Sequence, residues 1–132
     1  MADLFSDDWM KAYMEKWNNE PELSDALAKI NFSSTIAYGF KDEDKPRGFI
    51  TIENGKASVA AAFNGEEINW DLRATEENWD KWLKKGLGMA SLGAAYVGGK
   101  LKFKVGDYGA MIKDPRMAGP FVKSFTVMGR VS

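Results

Sequence analysis

The architecture depends most on residues 75–113, TEENWDKWLKKGLGMASLGAAYVGGKLKFKVGDYGAMIK. This run opens with a helix signal, because Thr75 is a suitable N-cap, two glutamates follow it, and two lysines precede Gly86. Apolar residues spaced three and four apart give this helix one face to bury: Trp79, Trp82 and Leu83. A buried face of that size requires a second layer to pack against.

A second helix and a strand follow directly. The helical run carries Met89, Leu92 and Tyr96 on one side and small residues on the other, until a pair of glycines ends it. Apolar residues then alternate with lysines from Leu101 to Val105, which predicts a strand with one solvated face. Two helices with apolar inner faces are thus placed on a sheet, and this predicts either a filled core or a pocket inside one.

Composition limits the chemistry that this chain can perform. Its 132 residues make one ordinary domain, 1–132, with N-terminal helices in 1–30, a core in 31–113 and a C-terminal helix in 114–132. It has no cysteine and no histidine, which excludes disulfides, thiol nucleophiles, His-dependent catalysis and nearly every zinc site. We therefore expect no metal and no cofactor.

The sequence contains no targeting or membrane signal that we recognise. The start, Met1-Ala2-Asp3-Leu4, has neither the basic nor the apolar region of a signal peptide. The most apolar run, Gly86 to Gly99, is too short and too rich in glycine to cross a bilayer, so we expect no stable membrane insertion. Since the missing cysteines are consistent with a reducing compartment, we expect a cytoplasmic protein.

Charge is distributed unevenly although the net charge is only −1. Residues 1–66 carry 7 basic and 12 acidic side chains, a net charge of −5, and residues 67–132 carry 11 and 7, a net charge of +4. The basic half suits an anionic headgroup, a CoA phosphate or an acidic partner, or is simply solvated. Basic residues are not interleaved with aromatic ones densely enough to predict nucleic-acid binding.

An aromatic stripe marks the N-terminal helix, predicted from Leu4 to Asn18 with Ser6 as its N-cap. Every fourth residue is aromatic: Phe5, Trp9, Tyr13 and Trp17. The stripe packs against the rest of the domain, forms a dimer interface or acts as a lid. A second helix is predicted over Glu22–Ile30, with leucines on one face.

Alternation of apolar and other residues predicts four strands before Thr75: Ser33–Phe40, Gly48–Glu53, Lys56–Phe63 and Glu67–Ala74. Asn54-Gly55 predicts a type I′ hairpin, and Asn64-Gly65 also favours a hairpin. After the fifth strand, Asp107 is expected to cap a short helix, and a last helix is predicted to open at Gly119 and Pro120. Together these elements predict an α+β fold, with helices on one face of a mostly antiparallel sheet.

The order of these elements and the residues GGKLKFKVGDYGAMIK, Gly98–Lys113, resemble the sterol carrier protein 2 family. In that family a Gly-Lys-Leu-Lys-apolar-x-Gly strand leads into an apolar segment that contains Met. Here the run from Gly99 to Phe103 matches, with one extra residue before Gly106. The resemblance covers about 31–113 and includes the Trp79–Gly86 helix and the Asn54-Gly55-Lys56 turn.

The resemblance implies a five-stranded sheet with helices on one face and a hydrophobic tunnel between the two layers. It implies a tunnel that takes fatty acids, fatty acyl-CoAs, sterols or phospholipids and performs no chemistry. It further implies that the fourth strand crosses over to lie parallel to the first, whereas Asn64-Gly65 favours a hairpin. The residue pattern and the resemblance therefore give two different topologies at this point, and of the two we favour the crossover, because Asn-Gly also suits other sharp turns.

Twelve residues on predicted inward faces are the candidates for lining such a tunnel, because adaptable apolar side chains suit a hydrophobic ligand. They are Ile68, Trp70, Leu72, Trp82, Leu83, Met89, Leu92, Tyr96, Met111, Phe121, Phe125 and Met128. Each of them also suits a filled core. Lys100, Lys102 and Arg116 either hold an anionic group at the mouth or are solvated.

The leading function is therefore non-catalytic binding and transfer of a lipid or another hydrophobic small molecule. One alternative is an accessory or scaffold subunit that associates, as a homodimer or with an enzyme, through its aromatic N-terminal helix. The other is a metal-free lyase or isomerase, which needs a carboxylate enclosed in an apolar pocket. The pairs Glu66-Glu67 and Glu76-Glu77 do not obviously converge, and Gly86-Leu87-Gly88 only superficially resembles a dinucleotide motif.

Overall fold

The computed structural model describes residues 3–131. The helices are α1 (Asp7–Asn18), α2 (Pro21–Ala28), α3 (Glu76–Lys85), α4 (Met89–Val97), α5 (Tyr108–Lys113) and α6 (Pro115–Met128). The strands are β1 (Ser34–Phe40), β2 (Gly48–Glu53), β3 (Lys56–Ala62), β4 (Trp70–Ala74) and β5 (Lys102–Val105). Two predictions involve Met1, Ala2 and Ser132, which lie outside the described residues: that the chain has no signal peptide, and that the domain spans 1–132.

The strands form one mixed sheet in the order β3-β2-β1-β4-β5. β1 and β4 are parallel, and the other neighbouring pairs are antiparallel. The predicted α+β class with a five-stranded, mostly antiparallel sheet is therefore confirmed. The predicted turn joins β2 to β3, where Asn54 and Gly55 have φ angles of 50° and 86°, as a type I′ turn requires.

The crossover implied by the family resemblance is confirmed, because β4 lies parallel to β1, and the hairpin favoured by Asn64-Gly65 is wrong. Gly65 does turn the chain, with a φ of 92°, but the chain then crosses over and β4 pairs with β1. Asn69 fixes this placement, because its side-chain oxygen accepts a hydrogen bond from the Thr35 N–H and its own N–H donates to the Thr35 carbonyl, both at 2.9 Å. A positive φ bends the backbone without determining which strand pairs next, and the two Asn69–Thr35 hydrogen bonds support the pairing of β4 with β1.

The predicted aromatic stripe is buried within its own chain, although Phe5 lies outside α1, which begins at Asp7 and not at Leu4 as predicted. Phe5, Trp9, Tyr13 and Trp17 are each at most 4% exposed. α1 lies against β2 and β3, and the stripe meets Tyr38 of β1 through ring contacts from Phe5 and Tyr13. The stripe is therefore part of the core and is not available as a lid or as an interface for a partner.

The C-terminal helix is longer than the sequence pattern predicts. The prediction opened it at Gly119 and Pro120, whereas α6 begins at Pro115. Asp114 is the N-cap, since its carboxylate accepts from the Arg116 N–H at 3.0 Å, and Pro115 occupies the first turn. Pro120 lies inside the helix, where it cannot donate the backbone hydrogen bond that α-helical geometry directs to residue 116.

The inward face predicted for the second helix is also wrong. In α4 the buried residues are Leu92 and Ala95. Met89 and Tyr96, which were predicted to lie beside Leu92, are 46% and 39% exposed. Because α4 has small or apolar residues on all sides, its sequence pattern does not distinguish the core side from the solvent side.

An ion pair lies beneath the β1–β2 loop. Asp71 and Arg73 are 4% and 1% exposed, and the Arg73 guanidinium donates to both carboxylate oxygens of Asp71 at 2.6 and 3.0 Å. It also donates to the carbonyls of Phe40 and Glu43, at 3.2 and 2.7 Å. The pair thus ties β4 to the end of β1 and to the loop that follows it.

Candidate hydrophobic binding site

A cavity lies between the sheet and the helices α2, α5 and α6. The sheet contributes Ile36 of β1 and Trp70 of β4, which are paired in register at the start of both strands. The complete lining is Trp17, Leu23, Leu27, Phe32, Ile36, Trp70, Met111, Met117, Pro120, Phe121 and Ser124. Phe32, Met117 and Phe121 are half-buried, so the cavity approaches solvent on their side.

The cavity is narrow. Its volume is about 30 Å³. Pockets that hold small molecules usually measure roughly 300–1,000 Å³, so this cavity is about tenfold smaller than the lower end of that range. A ligand chain would therefore have to displace side chains in order to enter.

Three lining side chains carry a polar group, namely Trp17, Trp70 and Ser124, and two of these groups have hydrogen-bond partners. The Trp17 indole N–H donates to the Gly55 carbonyl at 2.9 Å, and the Ser124 hydroxyl donates to the Phe121 carbonyl. No ionisable side chain is among the described residues that line it. The cavity therefore offers a ligand hydrocarbon and aromatic contacts, and it supplies no acid, base or nucleophilic carboxylate.

Three of the twelve candidate residues lie at this cavity: Trp70, Met111 and Phe121. Leu72, Leu92, Phe125 and Met128 are at most 1% exposed and belong to the packed core. The half-buried Ile68 precedes β4. Trp82, Leu83 and Tyr96 each border a different surface groove, and Met89 is exposed. Which of the twelve contact a ligand remains a prediction.

The region beneath α3, part of the space where a core or a pocket was expected, is filled by aromatic side chains. Trp79 is fully buried and its indole N–H donates to the Gly39 carbonyl at 2.9 Å. Its ring lies 5.1 Å from the ring of Phe5 and 6.2 Å from those of Tyr38 and Phe125. Beneath α3 the expected alternative of a filled core therefore holds, with Phe5, Tyr38 and Phe125 packed around Trp79.

Sequence reasoning missed the contribution of α2 and of the first half of α6. Leu23 and Leu27 share one face of α2, a signal present in the sequence, but nothing there shows that this face borders a cavity. Met117 was missed because α6 was predicted to open only at Gly119, and Pro120 was interpreted only as a helix start. The candidate cations lie elsewhere: Lys100 and Lys102 border grooves beside α4, and Arg116 pairs with Asp114 at 3.0 Å.

The fold and the cavity define an α+β domain whose helices cover one face of a mixed sheet and leave an apolar space beneath α2, α5 and α6. The crystal structure of sterol carrier protein 2 has the same architecture, with a TM-score of 0.78 and 22% identity over 98% of this chain and 100% of that one. The chain therefore has the sterol carrier protein 2 fold, as the sequence resemblance implied.

Two further solved structures agree. A conserved hypothetical protein from Thermus thermophilus, described as possibly a sterol carrier protein, gives a TM-score of 0.63 at 22% identity over 96% of this chain and 90% of that one. The apo form of sterol carrier protein 2 from Yarrowia lipolytica gives 0.53 at 12% identity over 98% and 97%. At such identities the likeness concerns the fold. No family model and no curated protein matches the sequence.

None of the helices described within residues 3–131 combines the length and the apolar composition needed to cross a bilayer.

Proposed function

We propose that this chain binds a hydrophobic ligand, such as a fatty acid, a fatty acyl-CoA, a sterol or a phospholipid, in the cavity beneath α2, α5 and α6, and transfers it without chemistry. The observation that carries the proposal is the lining itself. It is apolar and aromatic, and the Trp17 indole N–H and the Ser124 hydroxyl are already hydrogen-bonded within the protein. Burying hydrocarbon against such a surface makes the binding free energy more favourable by about 0.8 kcal/mol for each CH₂ group.

The cavity walls that we expect to move lie on α5 and α6. Met111 and Met117 are unbranched and adapt their shape to a ligand more readily than branched side chains do. Pro120 interrupts the hydrogen-bond ladder of α6, so residues 115–119 are bonded less strongly to the rest of the helix. A ligand chain would enter beside Met117 and Phe121 and widen the cavity by displacing them.

The catalytic alternative lacks its chemical group, because the described lining residues include no carboxylate. The scaffold alternative relied on the aromatic stripe, which is buried in the core. Binding without catalysis, by a protein that we place in the cytoplasm, is therefore the function that we propose.

Displacement of a fluorescent fatty acid, together with native mass spectrometry, tests this function. We expect a Kd in the low micromolar range, and at least a tenfold rise in Kd for Met117→Trp, whose larger ring fills the narrow space. Val59→Trp is the control, because Val59 is 49% exposed on β3, at the sheet edge opposite β5. If the unmodified protein binds no fatty acid, acyl-CoA, sterol or phospholipid by either method, the proposal is refuted.

A further inference from the structure

The solvent side of α4 is a second apolar surface, separate from the cavity. We define the α4 face as the exposed residues Met89, Ala90, Ala94, Tyr96 and Val97. Val97 is 85% exposed, the largest exposure among the large apolar side chains of the described chain. The whole run from Gly86 to Gly99 contains no charged residue. A contiguous uncharged helix face that remains exposed indicates an interaction surface.

Lysines border the α4 face on both sides. One groove is lined by Lys81, Lys85 and Lys100 together with Ser91 and Ala94 of α4. The groove on the other side is lined by Lys41 and Lys102 together with Tyr96. Neither groove has a carboxylate among its described lining residues, and no described carboxylate forms a salt bridge with any of these five lysines.

We propose that the α4 face docks on an anionic lipid bilayer. An apolar helix surface flanked by lysines matches the two layers of a membrane interface, with side chains entering the acyl boundary and ammonium groups meeting lipid phosphates and carboxylates. A second copy of the chain is a poorer partner. A symmetric dimer through this face would bring the two sets of lysines close to one another, and like charges repel.

The position of the α4 face relative to the cavity fits lipid exchange. The Tyr96 ring lies 5.6 Å from that of Phe103, which lies 6.0 Å from that of Phe121 in the cavity wall. A row of aromatic rings thus connects the docking face to the wall that we expect to open. This connection rests on the proposed lipid-binding function, whereas docking itself does not require an occupied cavity.

Co-sedimentation with vesicles tests the docking. We expect the ligand-free protein to bind vesicles of phosphatidylcholine and phosphatidylserine in equal parts and to bind pure phosphatidylcholine vesicles much more weakly. Raising the salt concentration should weaken binding, because the lysine attraction is screened. Each lysine near the surface contributes about a fivefold factor to the partition coefficient, so Lys81→Glu and Lys102→Glu should each reduce it at least fivefold.

Two matched variants locate the face. Val97→Glu should lower the partition coefficient at least tenfold, since it removes an apolar contact and adds a negative charge. Val59→Glu introduces the same change at an exposed valine of β3 and should have no effect. For the lysines the control is Lys29→Glu, at the exposed C-cap of α2. Circular dichroism verifies that each variant is folded, and the exposed lysine variants test the face even if Val97→Glu does not fold.

The outcomes separate docking from cavity binding. Fatty-acid displacement should be unchanged in Val97→Glu, so the loss of one activity does not imply the loss of the other. Equal binding to neutral and anionic vesicles, or equal losses in Val97→Glu and Val59→Glu, would overturn the docking proposal. A dimer seen by light scattering that dissociates in Val97→Glu would also overturn it, because the face would then be occupied by a second copy.

Discussion

Replacing Arg73 with methionine should destabilise the protein more than any surface change. Arg73 is 1% exposed and is the counter-ion of Asp71, which is also buried. Methionine has a similar length and is apolar, so the variant keeps much of the packing while it removes the positive charge. The Asp71 carboxylate then remains in a site with little access to water, and the carbonyls of Phe40 and Glu43 each lose a donor.

The magnitude follows from these partners. Breaking a buried ion pair by removing one member costs about 3–5 kcal/mol, which is a large share of the roughly 5–15 kcal/mol that stabilises a typical domain. For a chain of this length, 1 kcal/mol corresponds to a change in Tm of about 3–5 °C. We therefore expect the Tm of Arg73→Met to fall by about 10–20 °C.

Thermal and urea unfolding, followed by circular dichroism, measure this loss. The control is the double variant Asp71→Asn with Arg73→Met, in which no uncompensated charge remains, so it should be more stable than Arg73→Met alone. A loss below about 1 kcal/mol in the single variant, or equal stability of the single and double variants, would refute the reasoning that the stranded carboxylate carries the cost.

Two further predictions concern the core and the turns. Tyr13 and Tyr38 are fully buried, their hydroxyls lie 3.1 Å apart, and burial raises the pKa of both well above the ordinary value of 10.0. Unfolded tyrosines lose their protons above pH 10 while these two keep theirs, so the stabilisation is present below pH 10 and is lost above it. We expect the free energy of unfolding from urea titrations to fall by about 2.7 kcal/mol per pH unit there, and the slope to be about half as steep in Tyr38→Phe; equal slopes would contradict this. Gly55 and Gly86 have φ angles of 86° and 85°, but a Cβ at Gly55 would lie 2.3 Å from the Ala28 nitrogen and one at Gly86 would meet no atom within 4 Å. Thermal unfolding should show a loss of about 1–3 kcal/mol for Gly86→Ala and at least about 2 kcal/mol more for Gly55→Ala, and equal losses would mean that α2 does not pack closely on this turn.

Elements with a local physical signal could be predicted from the sequence. Thr75 and Asp107 cap α3 and α5 through the side-chain oxygens that the sequence offered for this role, with N–H to oxygen distances of 3.1 Å in both cases. The Asn54-Gly55 turn has the φ angles that its residues favour. In these places the residues that determine the conformation are within a few positions of it, so no knowledge of the remaining chain is needed.

Elements that depend on distant partners could not be predicted in the same way. The pairing of β4 with β1 is supported by hydrogen bonds between Asn69 and Thr35, which are 34 residues apart. Asp71 and Arg73 alternate with apolar residues as a solvated strand face would, yet loop carbonyls cover the arginine. Their burial is a property of the β1–β2 loop, which reads in sequence as an ordinary polar turn.

The position of the cavity shows why a fold can be inferred while its site cannot. The sequence supplies enough large apolar side chains to fill one side of the helical layer, and the α1 stripe with Trp79 fills the region beneath α3. The space that remains is where α2 and α6 meet over Ile36 and Trp70, and α6 carries Pro120 at that point. Packing depends on which side chains can fill a given volume in the folded chain. Every candidate residue is equally apolar whether it fills the core or borders a void. Locating a hydrophobic site therefore requires the positions of the core residues that fill the rest of the interior, because they determine where a cavity remains.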